Sequence, residues 1–262
     1  MGSATAQALE ASSSALTAAQ GITLDVAGDL FSATRLIGES SALGGALADP
    51  SASVEARTAL VARVFAGASA PAQQVLSVAV SQRWSSASDL VDGVEELAVR
   101  AAAIAAPDAD IEGELFSVSR LVADNADLEL ALGSRLGGGE GKAALVQKLV
   151  GASLHPATSL IVMSLVRQPR GRRVRRLLSR AMRIVSTQRD RIVATVHTAA
   201  PLSSSQRDRL RAVLAGRYGR QIALNEVLDS SVVGGLRVQV ADDVIDGSIS
   251  ARLADLRHKL AG

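Results

Sequence analysis

The chain contains no cysteine, so neither a disulfide nor a thiolate metal site can hold it together. Aromatic residues make up only 2%, while apolar residues reach 48%. A core of that size with so few rings must be built from Ala, Leu and Val, which favours helices packed closely through small side chains. The three histidines, His155, His197 and His258, lie far apart and show no metal-ligand spacing. No stretch approaches the roughly 18 apolar residues of a membrane span. The best run, 160–166, is short and interrupted by Ser164. The first twenty residues lack a basic start and an apolar centre, so they do not read as a secretory leader. Met1-Gly2-Ser3 fits an acylation start only loosely, and with only three lysines in an Arg- and Ala-rich chain it carries no weight. These absences predict a soluble cytoplasmic protein without a cofactor or a metal.

What is present is long enough, at 262 residues, for one large domain or two smaller ones. The formal net charge of +2 hides an asymmetry. Residues 1–142 carry 8 Lys+Arg and 18 Asp+Glu, whereas 143–262 carry 20 and 8. Such halves meet different partners, or each other.

The acidic and basic halves overlap an internal repeat. Asp29-Leu30-Phe31-Ser32 returns as Glu114-Leu115-Phe116-Ser117, an offset of 85. Without a gap, the same offset pairs Leu43 with Leu128, Leu47 with Leu132, Leu60-Val61 with Leu145-Val146, and Pro71-Ala72 with Pro156-Ala157. Agreement of this kind marks a duplicated unit. Spacings of three, four and seven make each copy helical. Residues 54–66 predict a helix with Leu60, Val61, Val64 and Phe65 inward. In the second copy, Leu145, Leu149 and Val150 repeat that pattern. Pro71 and Pro156 sit where helices can start, and a helix over 88–106 ends the first bundle and runs toward the second.

The pattern changes after Ser186. Arg191–Thr198 is β-branched with period two, a strand. Ser203 and Gln206 form a capping box before a helix with Leu210, Val213, Leu214 and Tyr218 on one face, closed by Gly219. Gln221–Leu228 predicts a second strand. Leu236, Val238 and Val240 alternate as a third, Val244-Ile245 begin a return, and Ile249, Leu253, Leu256 and Leu260 form a terminal helical stripe. Gly234 and Gly235 precede the third strand, where paired glycines predict positive φ or a close backbone approach. The expected fold is therefore α+β and mostly α. Two tandem helical bundles, 1–100 and 101–186, are followed by a small α/β domain at 187–262.

No motif in this chain carries chemistry. The run GGGEGK at 137–142 lacks the P-loop spacing, because Leu136 stands where the first glycine belongs and Ala143 follows the lysine; it reads as a turn between helices. Asp242-Asp243 and Glu95-Glu96 read as solvated carboxylates in turn and helix contexts, His197 and His258 as structural or exposed, and Trp84 as a core or interface anchor. The run from Arg167 to Arg183 holds eight arginines, and no acid occurs between Glu140 and Asp190. One reading is nucleic-acid binding by a helical repeat protein. The other is a basic face that meets the acidic half or an acidic partner, favoured by the lack of interleaved aromatics. The residues thus point to a noncatalytic interaction protein.

The last residues carry a resemblance. Asp229, then Val232-Val233-Gly234-Gly235-Leu236-Arg237-Val238, then Asp243-Val244-Ile245-Asp246-Gly247-Ser248 and finally Arg252-Leu253 with Leu256 resemble the closing signature of the delta subunit family of bacterial F-type ATP synthase. The mitochondrial relative of that family is the oligomycin-sensitivity-conferring protein. Upstream, Leu43 to Leu47, the turn at Asp49-Pro50, the helix from Val54 and the helix from Pro71 look like the third to fifth helices of the family's six-helix domain. The resemblance implies a noncatalytic stator subunit in the peripheral stalk, at the cytoplasmic face of the cell membrane, without cofactor or small-molecule substrate. It implies that the helical domain binds N-terminal helices of the alpha subunits and that the terminal domain binds b-type stalk subunits. It marks Gly234, Gly235, Asp246, Gly247, Ser248, Arg252, Leu253 and Leu256 as signature or interaction residues. The duplication departs from the usual single helical domain, and the copy nearer the C-terminus corresponds to it by position. It also suggests the actinobacterial branch, where the subunit is sometimes fused to a b-type stalk.

Overall fold

A computed structural model describes residues 2–133, 138–240 and 243–249. The chain divides into two compact units, Met1–Val185 and Ser186–Gly262.

The first unit is helical. Its elements are α1 (Ser3–Ala18), α2 (Leu24–Glu39), α3 (Ser41–Ala48), α4 (Val54–Val64), α5 (Ala70–Ser81) and α6 (Ala87–Ala105), followed by α7 (Ile111–Asp124), α8 (Ala126–Gly133), α9 (Gly139–Val150), α10 (Pro156–Arg167) and α11 (Val174–Gln188). The helices stop and start where local chemistry requires it. The side chains of Thr23, Ser40, Ser53, Ser86 and Asp110 each accept a backbone N–H of the helix they open, satisfying donors with no intrahelical partner. Pro71 and Pro156 occupy first turns, where a missing N–H costs nothing.

The offset of 85 survives in three dimensions. Shifting the start of α3 from Ser41 gives 126, the first residue of α8, and shifting Val54 of α4 gives 139, the first residue of α9. The same shift carries α1 onto α6 and α6 onto α11, within two residues. The repeating unit is thus six helices long, and α6 is at once the last helix of the first copy and the first helix of the second. The boundary expected at residue 100 falls inside it. Equivalent positions share their burial: Leu30 and Leu115, Leu47 and Leu132, Val61 and Val146, and Ala72 and Ala157 all lie in one continuous core. The repeated acid has a repeated task. Asp29 accepts the N–H of Ser69 at 2.8 Å, tying α2 to the start of α5. Glu114 accepts the N–H of His155 at 3.0 Å, tying α7 to the start of α10.

Sharing α6 explains its composition. It buries Leu90, Val91, Val94, Leu97, Val99 and a run of alanines around its whole circumference, as a helix covered on every side must. By contrast α1 buries only Thr5, Ala8, Ser12 and Leu16, a single stripe, and its other face is Ala- and Ser-rich. Trp84 is buried between α5 and α6: its indole N–H donates to the carbonyl of Ala79 at 2.7 Å, and its six-membered ring lies on Gly93, where a Cβ would stand 2.2 Å from Cη2.

Two expected inward residues face solvent. Val64 and its counterpart Leu149 are exposed. Helices α4 and α9 bury a narrow stripe at Val61 and Val146, and Val64 lies about 100° round the helix from buried Phe65. Helix α4 packs chiefly on α5 and α9 on α10, so each of these short helices covers only one neighbour along a narrow stripe.

The second unit is a small mixed sheet. Strand β1 (Arg191–Thr198) runs parallel to β2 (Gln221–Leu228), with α12 (Ser204–Tyr218) between them in sequence. Strand β3 (Leu236–Val240) is antiparallel to β1, and β4 (Asp243–Asp246) is antiparallel to β3, giving the order β2-β1-β3-β4. The capping box is complete, with Gln206 N–H to Ser203 Oγ at 3.2 Å and Ser203 N–H to Gln206 Oε1 at 2.8 Å. Gly219 ends α12 at φ 68°. Ala194, Val196, Leu202, Leu214, Ile222, Val238 and Val240 form the core. Val213, expected inward, is exposed, because the small sheet receives the face of Leu210, Leu214, Ala215 and Tyr218.

We expect Gly93→Ala to destabilise the helical unit by about 1–3 kcal/mol, the range of an overpacked core, although alanine is the better helix former. Thermal unfolding followed through the fluorescence of Trp84, the sole tryptophan, measures this directly.

Candidate interaction surfaces

The C-terminal signature is a backbone lock. Gly234 and Gly235 adopt φ of 65° and 77°, the left-handed region expected for them and costly for other residues. A Cβ on Gly235 would lie 2.5 Å from the carbonyl oxygen of Gly247, and one on Gly234 would strike the side chain of Ile249. The approach is cemented by Gly247 N–H to Leu236 O at 2.9 Å and Ile249 N–H to Gly234 O at 3.2 Å. Asp246 accepts the N–H of Ser248 at 2.9 Å. Its bonds from Ser248, aided by the charge of Arg237, hold its carboxyl below the usual carboxylate range. Asp229 repeats this turn with Ser231 N–H at 2.9 Å. The bonds from Ser231, with His197 nearby, lower its pKa too. His197 Nδ1 stands 3.4 Å from Asp229, so this histidine belongs to the turn. Gly234, Gly235, Asp246, Gly247 and Ser248 therefore meet at one corner of the sheet. Arg252, Leu253, Leu256 and His258 lie outside the described residues, as do Asp242 and the terminal stripe beyond Ile249. Asp243 accepts the hydroxyl of Tyr218 at 3.2 Å.

The helical unit holds a charged cluster that overturns one expectation. Glu95 and Glu96 are not solvated; both are buried. Arg172 grips Glu95 with two bonds, at 2.8 and 2.6 Å. Arg170 adds contacts to Glu95 at 2.8 Å and to Asp92 at 2.6 Å. Arg180 on α11 reaches Glu96 at 3.3 Å, and Arg100 reaches it from one turn along α6 at 2.8 Å. The α10–α11 connection makes this possible by turning through Arg170 and Gly171, both at positive φ. Burial alone would push the Glu95 carboxyl up. The hydrogen bond from Arg172 and the charges of Arg170 and Arg172 outweigh it and hold the carboxyl below its usual range. The same partnership raises Arg172, against its own burial. Sequence reasoning missed the role of Asp92, Glu95 and Glu96. The signal was their i, i+3, i+4 stripe on a helix apolar on every other side, opposite an acid-free run of arginines.

The basic run is thereby divided. Arg170, Arg172 and Arg180 are committed to α6, Arg167 pairs with Glu140 at 3.1 Å, and Arg175 pairs with Glu129 at 3.1 Å. An open cleft of about 660 Å³ lies between α2 and α10, with Leu24, Asp25, Asp29, Leu160 and Arg167 on its walls and Glu95 among its lining residues. Two of its three carboxylates, Asp29 and Glu95, are already bonded to Ser69 and to the arginines. Of the glycine run, Gly138 and Gly139 open α9, while 134–137 lie outside the described residues. His155 caps α10, its Nδ1 accepting the N–H of Ala157 at 3.1 Å. No helix of the described residues is long and apolar enough to cross a membrane.

Two outcomes follow. Gly235→Ala should cost about 2–4 kcal/mol, combining a strained φ with the collision at Gly247; denaturant melts of wild type and variant check it. Glu95→Gln should destabilise the helical unit by about 2–4 kcal/mol, by leaving two arginines without their partner. Because the Glu95 carboxyl is lowered from 4.5, its contribution is full above pH about 4.5 and is lost as pH falls through the depressed value. Stability measured from pH 7 down to about 3 should therefore fall less steeply in the variant than in the wild type.

Comparison with known proteins places these features. The family model described as ATP synthase delta (OSCP) subunit matches residues 97–260. A protein of Leifsonia xyli named ATP synthase subunit delta is 47% identical, over 100% of both chains. Its namesake in Streptomyces avermitilis is 41% identical over 91% of this chain and 89% of its own, and that of Nocardia farcinica is 38% identical over 98% and 97%. Among solved structures, a chain of the Toxoplasma gondii mitochondrial ATP synthase hexamer covers 64% of this chain with 97% of its own, at 23% identity and a TM-score of 0.36. The family match begins within α6, so it takes in the second helical copy and the sheet, and the full-length relatives extend the likeness through the first copy as well. On this ground the chain belongs to the ATP synthase delta (OSCP) subunit family, a structural component of the peripheral stalk of a membrane-bound complex.

Proposed function

We propose that this chain is the stator joint of an F-type ATP synthase, linking the catalytic head to the b-type stalk and resisting the torque of the rotor. In this reading α6–α11 is the domain that caps the head, taking N-terminal helices of the alpha subunits by helix-in-groove docking. The sheet unit at 187–262, with its signature corner and terminal stripe, grips the b-type subunits. The duplicated domains expected at 1–100 and 101–186 meet within α6, which serves both, and the first copy extends the joint. The complex places the chain peripherally, on the cytoplasmic face of the cell membrane. It performs no chemistry; it couples proton flow to ATP synthesis mechanically. The observation that carries the reading is the span of the family match, 97–260, which covers nearly all of the second copy and the sheet together.

A stator joint must be stiff, and the chain is built accordingly. One helix serves two copies, a single core runs through both, and arginines from α10–α11 clamp α6 at its centre. The nucleic-acid alternative loses its main feature, since five of the eight arginines in the basic run are held by carboxylates of the chain itself.

Deleting the gene should abolish ATP synthesis driven by proton flow in inverted membrane vesicles, and the full chain supplied in trans should restore it. Vesicles that stay fully coupled after deletion would refute the reading. Glu95→Gln, which loosens the clamp without touching the sheet, should restore synthesis only partly at a temperature where the variant remains folded.

A further inference from the structure

Helix α11 carries a line of charge that the described residues offset only at Arg180. Arg173 sits at its entry, and Arg176, Arg180 and Arg183 follow at spacings of three, four and three. Such spacing puts them on one side of the helix, within about 80° of one another. The opposite side is the buried one, formed by Val174, Leu177, Leu178, Ala181 and Val185. Arg180 reaches inward to Glu96, while Arg173, Arg176 and Arg183 are exposed and form no ion pair among the described residues.

This arrangement is unfavourable by itself. Arg176 and Arg180 are like charges one turn apart, a repulsive pair. Arg173, Arg175 and Arg176 crowd the N-terminal turn, where the helix macrodipole disfavours cations; α11 has no acid of its own in that turn, and among the described residues only Arg175 finds one elsewhere, Glu129. A residue pattern that works against its own helix finds its compensation elsewhere. For Arg170, Arg172 and Arg180 that compensation is α6. For the outer three, no carboxylate among the described residues supplies it.

We propose that the outer face of α11 is a docking surface for an acidic helix of a neighbouring protein chain, with carboxylates repeating every three or four residues. The chain itself displays the mode: Asp92, Glu95 and Glu96, spaced i, i+3, i+4 on α6, meet the inner arginines of the same segment. The outer line extends about 15 Å from Arg173 to Arg183, some three turns, and a straight ladder of that length complements a second helix. Guanidinium forks match carboxylates two bonds at a time. A nucleic acid fits less well, since no aromatic side chain accompanies the arginines from 167 to 189. A lipid surface fits less well too, since the exposed face of α11 offers no large apolar residue to insert.

The test uses the purified full chain and a labelled helical peptide with glutamates at i, i+3, i+7 and i+10, compared with the same peptide carrying glutamines. We expect the glutamate peptide to bind at least tenfold more tightly and to weaken as salt rises. The double variant Arg176→Glu, Arg183→Glu should lose at least tenfold in that affinity. It should melt at or above the wild-type temperature, because the reversal relieves repulsion along α11, and this separates lost binding from lost folding. Equal binding of both peptides, or unchanged affinity in the double variant, would overturn the proposal. So would tighter binding, dependent on Arg176 and Arg183, to duplex DNA or to phosphatidylglycerol vesicles than to the glutamate peptide.

Discussion

Helix α6 carries two carboxylates into the interior of an apolar helical core and a third, Asp92, to its edge, and the α10–α11 segment delivers arginines to all three. Charges removed from water are expensive unless they are paired and fully bonded, so the pairing dictates much of what surrounds it. It requires the connection after α10 to turn sharply at Arg170 and Gly171. It requires α11 to pass close enough for Arg180 to reach Glu96. It also makes separation of α11 from α6 costly, because parting them would strand charge on both sides. Apolar packing supplies most of the stability of such a unit, yet apolar packing alone would tolerate sliding of the α10–α11 segment on α6. The bidentate grip of Arg172 on Glu95 fixes a single arrangement.

The overlap through α6 gives the duplication a physical meaning. Two separate six-helix bundles joined by a linker would move independently. A helix that is the last of one bundle and the first of the next cannot permit that motion, since any rotation of one copy must carry the other. The residues of α6 reflect this double duty, with burial on every side and alanines where two neighbours approach. At the free end, α1 holds the equivalent place with one apolar stripe and an outer face of Ala and Ser.

The sheet unit uses a different device. Its corner is held by backbone contacts between the Gly234-Gly235 entry and the Gly247-Ser248 turn, at distances that exclude a side chain. Asp229 and Asp246 each brace a short turn through a serine two residues on. A corner fixed by backbone leaves its side chains available, and Ile249 and Val244 are exposed beside it. The two units thus divide rigidity between them, through buried charge in one and glycine packing in the other.

Periodicity and turn chemistry are local properties, and they were legible in the sequence. The repeat offset, the helix starts at Pro71 and Pro156, the capping box at Ser203, the strand spans and the positive φ of Gly234 and Gly235 all follow from residues within a few positions of one another. The closing signature was legible for the same reason, since its glycines and aspartates shape one corner. Burial that depends on distant segments was not. Glu95 and Glu96 read as solvated because, on an isolated helix, that is where carboxylates belong. Only the return of the chain some 75 to 85 residues later brings Arg170 and Arg172 to Glu95 and Arg180 to Glu96. Val64, Leu149 and Val213 failed in the opposite direction: their spacing is apolar, but how much of each helix is covered depends on the size of the surface it meets. That α6 belongs to both copies was likewise decided in three dimensions, because a sequence repeat marks equivalent residues without saying which neighbours a shared helix must satisfy.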